Sequence, residues 1–352
     1  MSLPLPRHSI ASASIEKRPP LEVGVIRGKE TESTHQIHAV IARDDGSLVN
    51  WHGDPQRRTF PRSAVKSIQA LALLESGAAD RFGFTPAELA LACSSHAGTP
   101  LHVETARSML DKAGLEPEAL ECGAHWPLDE GSARALSRAT DDPSPLHNNC
   151  SGKHAGFLAV ARHLGLDPAG YVAPDHPVQQ RVTATLAGVC GVPLSAANRA
   201  TDGCSIPTYA IPLASLATGF ARIGTGRSLS ADRQAAFERL RRGVADNPLL
   251  IAGPGRFDSR VTATCGPRVF LKSGAEGVLC AAIPEAGLGI ALKAEDGALR
   301  ASEVAMAWLL LELLPTPTED QRALLNELHN PTLKNWRGSM VGFLATMVAA
   351  GR

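Results

Sequence analysis

The sequence predicts an α+β protein, with one antiparallel sheet assembled from the two ends of the chain and a mainly helical domain inserted between them. Three observations predict it. Strand-like runs occupy residues 21–27, 36–42 and 46–51, and strand character returns at 268–272, 277–283 and 287–293. The turn Arg43-Asp44-Asp45-Gly46 joins adjacent runs with far fewer residues than the dozen or more that a parallel crossover needs. Between the two groups of strands, apolar residues recur at helical spacing from about 85 to 250, so strands and helices are segregated along the chain. The expected organisation is a flexible Ser- and Pro-rich arm at 1–20, a sheet domain from 21–84 and 258–352, and a helical domain at 85–257.

Composition narrows the function classes. The 352 residues carry 35 Lys and Arg against 35 Asp and Glu, a net charge of zero with no basic half, which argues against a nucleic-acid partner. No stretch reaches the roughly 18 uncharged apolar residues of a membrane span, and Met1 to His8 lacks the apolar core of a signal peptide. A cytoplasmic protein with no membrane partner is expected. Seven cysteines are an odd number without disulfide-framework spacing, which points to thiols, some of them metal ligands.

Taken in order, the first helix opens after Phe60-Pro61. Val65, Ile68, Ala72 and Leu73 recur at helical spacing until Gly77 stops it, placing Ser63 and Lys66 in its first turn and on one face. A serine needs a base to take its proton, and a lysine serves only if burial or nearby positive charge lowers its pKa. Spacing alone does not make a site. Ser14-Ile15-Glu16-Lys17 repeats it in the arm, and a capping serine beside a solvated lysine gives the same pattern.

A helix over 85–92, with Pro86 and Glu88 early in it, delivers the chain to the polar loop Cys93-Ser94-Ser95-His96-Ala97-Gly98. Helical periodicity follows at 102–114 and 131–140. The densest polar cluster is His147-Asn148-Asn149-Cys150-Ser151-Gly152-Lys153-His154, ahead of the apolar Phe157-Leu158-Ala159-Val160. It lies around a helix N-terminus, where anions and thiolates are favoured. Pro174-Asp175-His176-Pro177-Val178-Gln179 opens another helix, through about Ala187. Thr201-Asp202-Gly203-Cys204 forms a second cysteine-bearing loop, followed by helices at 210–220 and 233–242, a loop at 247–257, the late strands, and a last helix at 302–313.

Lys272-Ser273-Gly274 ends the first late strand. A Ser-x-x-Lys on the first helix, a serine-bearing loop and a late Lys-Ser-Gly, in that order, resemble the serine β-lactamase, penicillin-binding protein and glutaminase group. That resemblance implies an antiparallel sheet flanked by helices, with an all-helical domain. The loops at 93–98, 147–154 and 201–204 resemble more specifically the rhizobial-type (class 3) L-asparaginases, over nearly the whole chain from residue 22. The resemblance implies a homodimer that hydrolyses L-asparagine to L-aspartate and ammonia with two Ser-Lys tandems, Ser63 with Lys66 and Ser95 with Lys272. The doublet leaves Ser94 open as an alternative to Ser95, and Lys293 is the alternative to Lys272.

The same resemblance implies Zn2+ held by Cys150, Lys153 and Cys204, with Asp202 and His154 close to metal or substrate. The residues alone name His154 or His147 as third ligand, since a lysine must first lose its proton. Arg62 is the candidate for the substrate carboxylate. A glutaminase, differing by one methylene in its substrate, a β-lactamase-like serine hydrolase and a non-catalytic zinc-binding protein are the competing classes.

Overall fold

The computed structural model describes residues 16–140 and 142–347. Two hairpins open it, β1 (Leu21–Arg27) with β2 (Glu30–Ala42), and β2 with β3 (Leu48–His52). A 3-10 turn, Arg62–Val65, then leads into α1 (Lys66–Glu75). Helices α2 (Pro86–Ala92), α3 (Pro100–Ala113), α4 (Ser151–His163) and α5 (Pro177–Cys190) follow, and after them α6 (Leu213–Thr225), α7 (Ala231–Asp246) and α8 (Phe257–Cys265). The late strands are β4 (Phe270–Gly274), β5 (Val278–Ile283) and β6 (Leu288–Ala294). The chain closes with α9 (Leu299–Leu313), α10 (Glu319–His329), β7 (Thr332–Lys334) and β8 (Met340–Met347).

The fold class is the one the sequence predicts. Eight strands form one sheet in the order β7-β8-β1-β2-β6-β5-β4, with β3 also paired to β2. Every ladder among the described residues is antiparallel, and the first and last thirds of the chain meet where β2 pairs β6, Ile37 opposite Ala294 and Ile41 opposite Ile290. β4 ends the sheet, so one side of the strand that carries Lys272 has no strand partner within it.

Two compact units divide the chain at 64/65, 210/211, 228/229 and 267/268. The sheet unit holds all eight strands and helices α6, α9 and α10. Helix α6 belongs to it because of backbone contact. A Cβ on Gly289 of β6 would lie 2.0 Å from the Ala217 carbonyl and 2.3 Å from the Ala221 nitrogen, so only glycine lets the helix lie on the strand. Of the expected arm, residues 1–15, Ser14 included, lie outside the described residues. Residues 16–18 are tied to β3, with Trp51 Nε1 donating to the Glu16 carbonyl and the Arg18 guanidinium 3.7 Å from the Trp51 ring centroid.

The helical unit is built around α4, buried from Ser151 through Ala161. Gly152 makes this possible, because a Cβ there would lie 2.5 Å from the Leu91 carbonyl of α2. α2 starts as its sequence predicts, with the Thr85 side chain accepting from the Glu88 amide and the Glu88 carboxylate accepting from the Thr85 amide. α1 buries Lys66 to Leu73, of which Ile68, Leu71 and Leu73 each contribute about 1.5–3 kcal/mol of apolar burial. Among the described residues no helix is long and apolar enough to cross a membrane.

Candidate active site

The expected single helix for Ser63 and Lys66 is two structures. Ser63 lies in the 3-10 turn, and the α-helix begins at Lys66 itself. Arg62, ahead of the serine, has a left-handed backbone with φ of 51°, which costs a non-glycine residue roughly 1–3 kcal/mol and is common where a turn presents a functional side chain. In the sheet unit, the edge strand presses on this turn. A Cβ on Gly274 would lie 2.5 Å from the Pro61 carbonyl and 3.0 Å from the Ala64 amide. The Lys-Ser-Gly run is thus in backbone contact with the segment that carries Arg62 and Ser63. Lys272, two residues along β4, is fully buried and donates from Nζ to the Ser273 carbonyl at 2.7 Å. Lys293, the sequence alternative, sits two strands inward on β6 and donates to the Ala294 carbonyl.

In the helical unit, Lys66 is fully buried and its Nζ donates to the carbonyls of Ser94 at 2.5 Å and Asn149 at 3.2 Å. The Ser94-Ser95 loop is fixed at both ends. Ser95 N donates to the Ile251 carbonyl at 3.0 Å, and His96 N donates to the Asn149 carbonyl at 3.3 Å. His96 is fully buried; its Nδ1 accepts the Gly98 amide, so Nε2 carries the proton and donates to Ser151 Oγ at 2.8 Å. Burial, with the charges of His102 and Lys66 adding to it, holds the imidazole well below its ordinary pKa and keeps it neutral. Ser94 Oγ and Ser95 Oγ are both buried without a hydrogen-bond partner among the described residues, so either hydroxyl is available to a ligand or proton donor that enters the loop.

The cysteines of the two loops meet. Cys204 hydrogen-bonds to Cys150, and Lys153 Nζ lies 3.0 Å from Cys204 Sγ. That hydrogen bond, with the charges of Lys153 and Lys66, outweighs burial and holds Cys150 well below the usual thiol range. Cys204, the partner that keeps the shared proton, is pushed up, first by that same bond and then by burial. Burial works against the Lys153 ammonium, but the charges of Cys150, Cys204 and Asp202 raise its pKa. Cys122, by contrast, is pushed up to about 12 by burial and is a plain neutral thiol. All seven cysteines are buried, and none of them forms a disulfide.

Two sulfurs and one amine, all buried, are donors of the kind zinc takes. Loading them requires the loss of the Lys153 proton and of the shared thiol proton. Neither histidine named by the residues alone joins this group as a third donor. His147 Nδ1 accepts the Ser144 amide, and His154 Nδ1 is hydrogen-bonded to Tyr171 Oη at 2.6 Å. Among the described residues no cluster of three or more His, Cys, Asp or Glu side chains is arranged for a metal, so a site here needs the lysine. Asp202 lies in the turn before Cys204, its carboxylate accepting the Gly203 amide at 2.7 Å. His154 is fully buried with Nε2 unpartnered among the described residues, and burial together with the Lys153 charge holds it well below the ordinary imidazole pKa.

Several participants escaped the sequence. Asn149 stood inside the polar cluster, yet nothing in the pattern says that its main-chain carbonyl, rather than its amide side chain, receives Lys66. Tyr171, which holds His154, has no sequence signal at all, being an isolated aromatic in a polar loop.

The chain belongs to the L-asparaginase II family, whose model matches residues 23–346. By that membership it is an amidohydrolase. No curated protein matches the chain significantly. Among solved structures it is similar to a β-lactamase from Mycobacterium bovis, at 16% identity over 83% of this chain and 95% of that chain, with a TM-score of 0.38. It is similar also to a class C β-lactamase from Rhodobacter sphaeroides, at 14% identity over 78% and 93% of the two chains and a TM-score of 0.40. With Mglu in its native form it shares 15% identity over 78% of this chain and 65% of that chain, with a TM-score of 0.42.

Proposed function

We propose that the protein hydrolyses L-asparagine to L-aspartate and ammonia through an acyl-enzyme on Ser63. Membership of the L-asparaginase II family supports the reaction, and one structural observation supports the chemistry: a fully buried lysine, Lys66, opening the helix three residues after Ser63. Ser63 Oγ attacks the side-chain amide carbon of asparagine. The reactive form of Lys66 is the neutral amine, which keeps two N–H bonds on the Ser94 and Asn149 carbonyls and takes the serine proton on its lone pair. That proton passes to the departing ammonia, and water then cleaves the aspartyl ester by the same route. Ser95 and Lys272 form the second tandem, Arg62 binds the substrate α-carboxylate, and Asp202 and His154 contact the polar end of the substrate. The developing oxyanion takes its hydrogen bonds from backbone amides of the Ser63 turn and the β4 edge.

Zinc, if it binds here, is held by Cys150, Lys153 and Cys204, and would supply a Lewis acid that binds water or orients substrate. The same reading carries a cytoplasmic homodimer. Ammonia release from asparagine and glutamine, and the colour change on ring opening of a chromogenic β-lactam, measured for the wild type and Ser63→Ala, test the proposal. Asparagine turnover should dominate and fall by at least about a thousandfold in the variant. Equal turnover in the variant refutes Ser63, and preference for glutamine or the lactam refutes the substrate.

A further inference from the structure

We infer that His125 is a positioning residue for Lys66, acting through the main chain of Asn149. The inference rests on the reading of Lys66 as the general base. His125 lies in the loop before the short helix Glu130–Leu136 and is half-buried, as is Asn149, whereas Lys66 is fully buried. Its ring is fixed at both nitrogens. Nδ1 stands 2.7 Å from the Trp126 carbonyl, which can only accept, so Nδ1 carries the proton. Nε2 therefore presents a lone pair, and it accepts the Asn149 amide at 2.9 Å. The ring is neutral and in one tautomer.

The other end of that residue does the work on the base. The Asn149 carbonyl accepts Lys66 Nζ at 3.2 Å and the His96 amide at 3.3 Å, so it aims the lysine and anchors the Ser94-Ser95 loop with one oxygen. Its neighbours hold the flanks of this loop but not its middle. Asn148 Nδ2 donates to the Cys122 carbonyl at 2.9 Å, and Asn148 Oδ1 accepts the Cys150 amide at 2.8 Å. Between those two anchors, the acceptor of the Asn149 N–H is the imidazole of His125. Without it the Asn148–Asn149 peptide is free to turn, and the carbonyl on the next peptide, held then by the Cys150 amide and the His96 amide alone, shifts against Lys66. The loop from Cys122 to His125 thus orients the catalytic amine through Asn148 and Asn149.

Steady-state kinetics with asparagine on His125→Ala, His125→Gln and His125→Lys test this. His125→Ala should lower kcat about tenfold with KM within about twofold, since water at this half-exposed position replaces part of the lost acceptor. His125→Gln places an amide oxygen near the Nε2 position and should restore kcat to within about threefold of wild type. His125→Lys brings a donor against the Asn149 N–H and should be worst of the three. Unchanged kcat in His125→Ala, or equal losses in Ala and Gln, overturns the inference. A urea-unfolding cycle of His125→Ala with Lys66→Met reads the same coupling without activity: the two losses should be less than additive, and strict additivity also overturns it. If Ser63→Ala and Lys66→Met stay active, the catalytic reading fails instead, whatever the histidine variants do.

Discussion

Replacing Gly274 by alanine adds one methyl group where the edge strand meets the turn that carries Ser63. A Cβ built there lies 2.5 Å from the Pro61 carbonyl and 3.0 Å from the Ala64 amide, both backbone atoms, with the Ala64 Cβ a further 3.3 Å contact. Real Cβ atoms essentially never come closer than 3.0 Å, so strand and turn must separate by at least half an ångström. No flexible side-chain end can absorb it. Gly274 itself does not have a left-handed backbone, so the cost is steric rather than conformational. Overpacking of this kind costs about 1–3 kcal/mol, and misplacing a nucleophile by up to an ångström lowers turnover about tenfold to a hundredfold. Ammonia release with asparagine gives kcat, and thermal unfolding gives stability. The expected result is a kcat loss of that size with a melting temperature lowered by only a few degrees and with metal content unchanged, since Cys150, Lys153 and Cys204 belong to the other unit. A Gly274→Ala enzyme with wild-type kcat would show that the β4 contact does not place the nucleophile.

Lys66→Met removes the amine, leaving the buried Ser94 carbonyl without this donor and the Asn149 carbonyl with the His96 amide alone, so about 1–3 kcal/mol of stability should go along with activity; urea unfolding that shows no loss refutes the buried hydrogen bond. Metal analysis of the purified protein should find about one zinc per chain, and Cys150→Ser or Cys204→Ser should lose most of it; a full equivalent in either variant removes that cysteine from the ligand set. The buried neutral imidazoles of His96 and His154 have folded pKa values well below the unfolded one, so the unfolded chain binds the extra protons. Their contribution is complete above about pH 6.5 and is lost as pH falls below it, at roughly 1.4 kcal/mol per pH unit for each. Equal unfolding free energies at pH 5 and pH 7 contradict that.

The chemistry-bearing segments were legible in the sequence because each is local. Thr85, Pro86 and Glu88 spell a helix start, and it forms at Pro86. Strands β4, β5 and β6 lie within two residues of their expected bounds, because alternating or continuous β-branched and aliphatic runs are strong signals. The end of the chain was not legible. Helix α10 buries only Gln321 and Leu325, too little for an apolar stripe, and β8 carries Gly342, which reads as a breaker. That glycine is there because a Cβ would lie 2.3 Å from the Ile26 carbonyl of β1, a contact that exists only once the sheet is assembled. The stretch at 247–257, expected to be a loop, contains the short helix Pro248–Ile251, opened by its proline.

By itself the sequence determined the fold class, the family and the residue types available for catalysis, since strand and helix periods and linear motifs are properties of neighbouring residues. Which of those residues act on one another was decided only by tertiary structure. Cys150 and Cys204 are far apart in the chain and share a hydrogen bond, and a main-chain carbonyl at Asn149, identical in kind to every other in the protein, holds Lys66. A carbonyl acquires a role from where the backbone points it, and direction across a packed unit is set by all the elements around it at once.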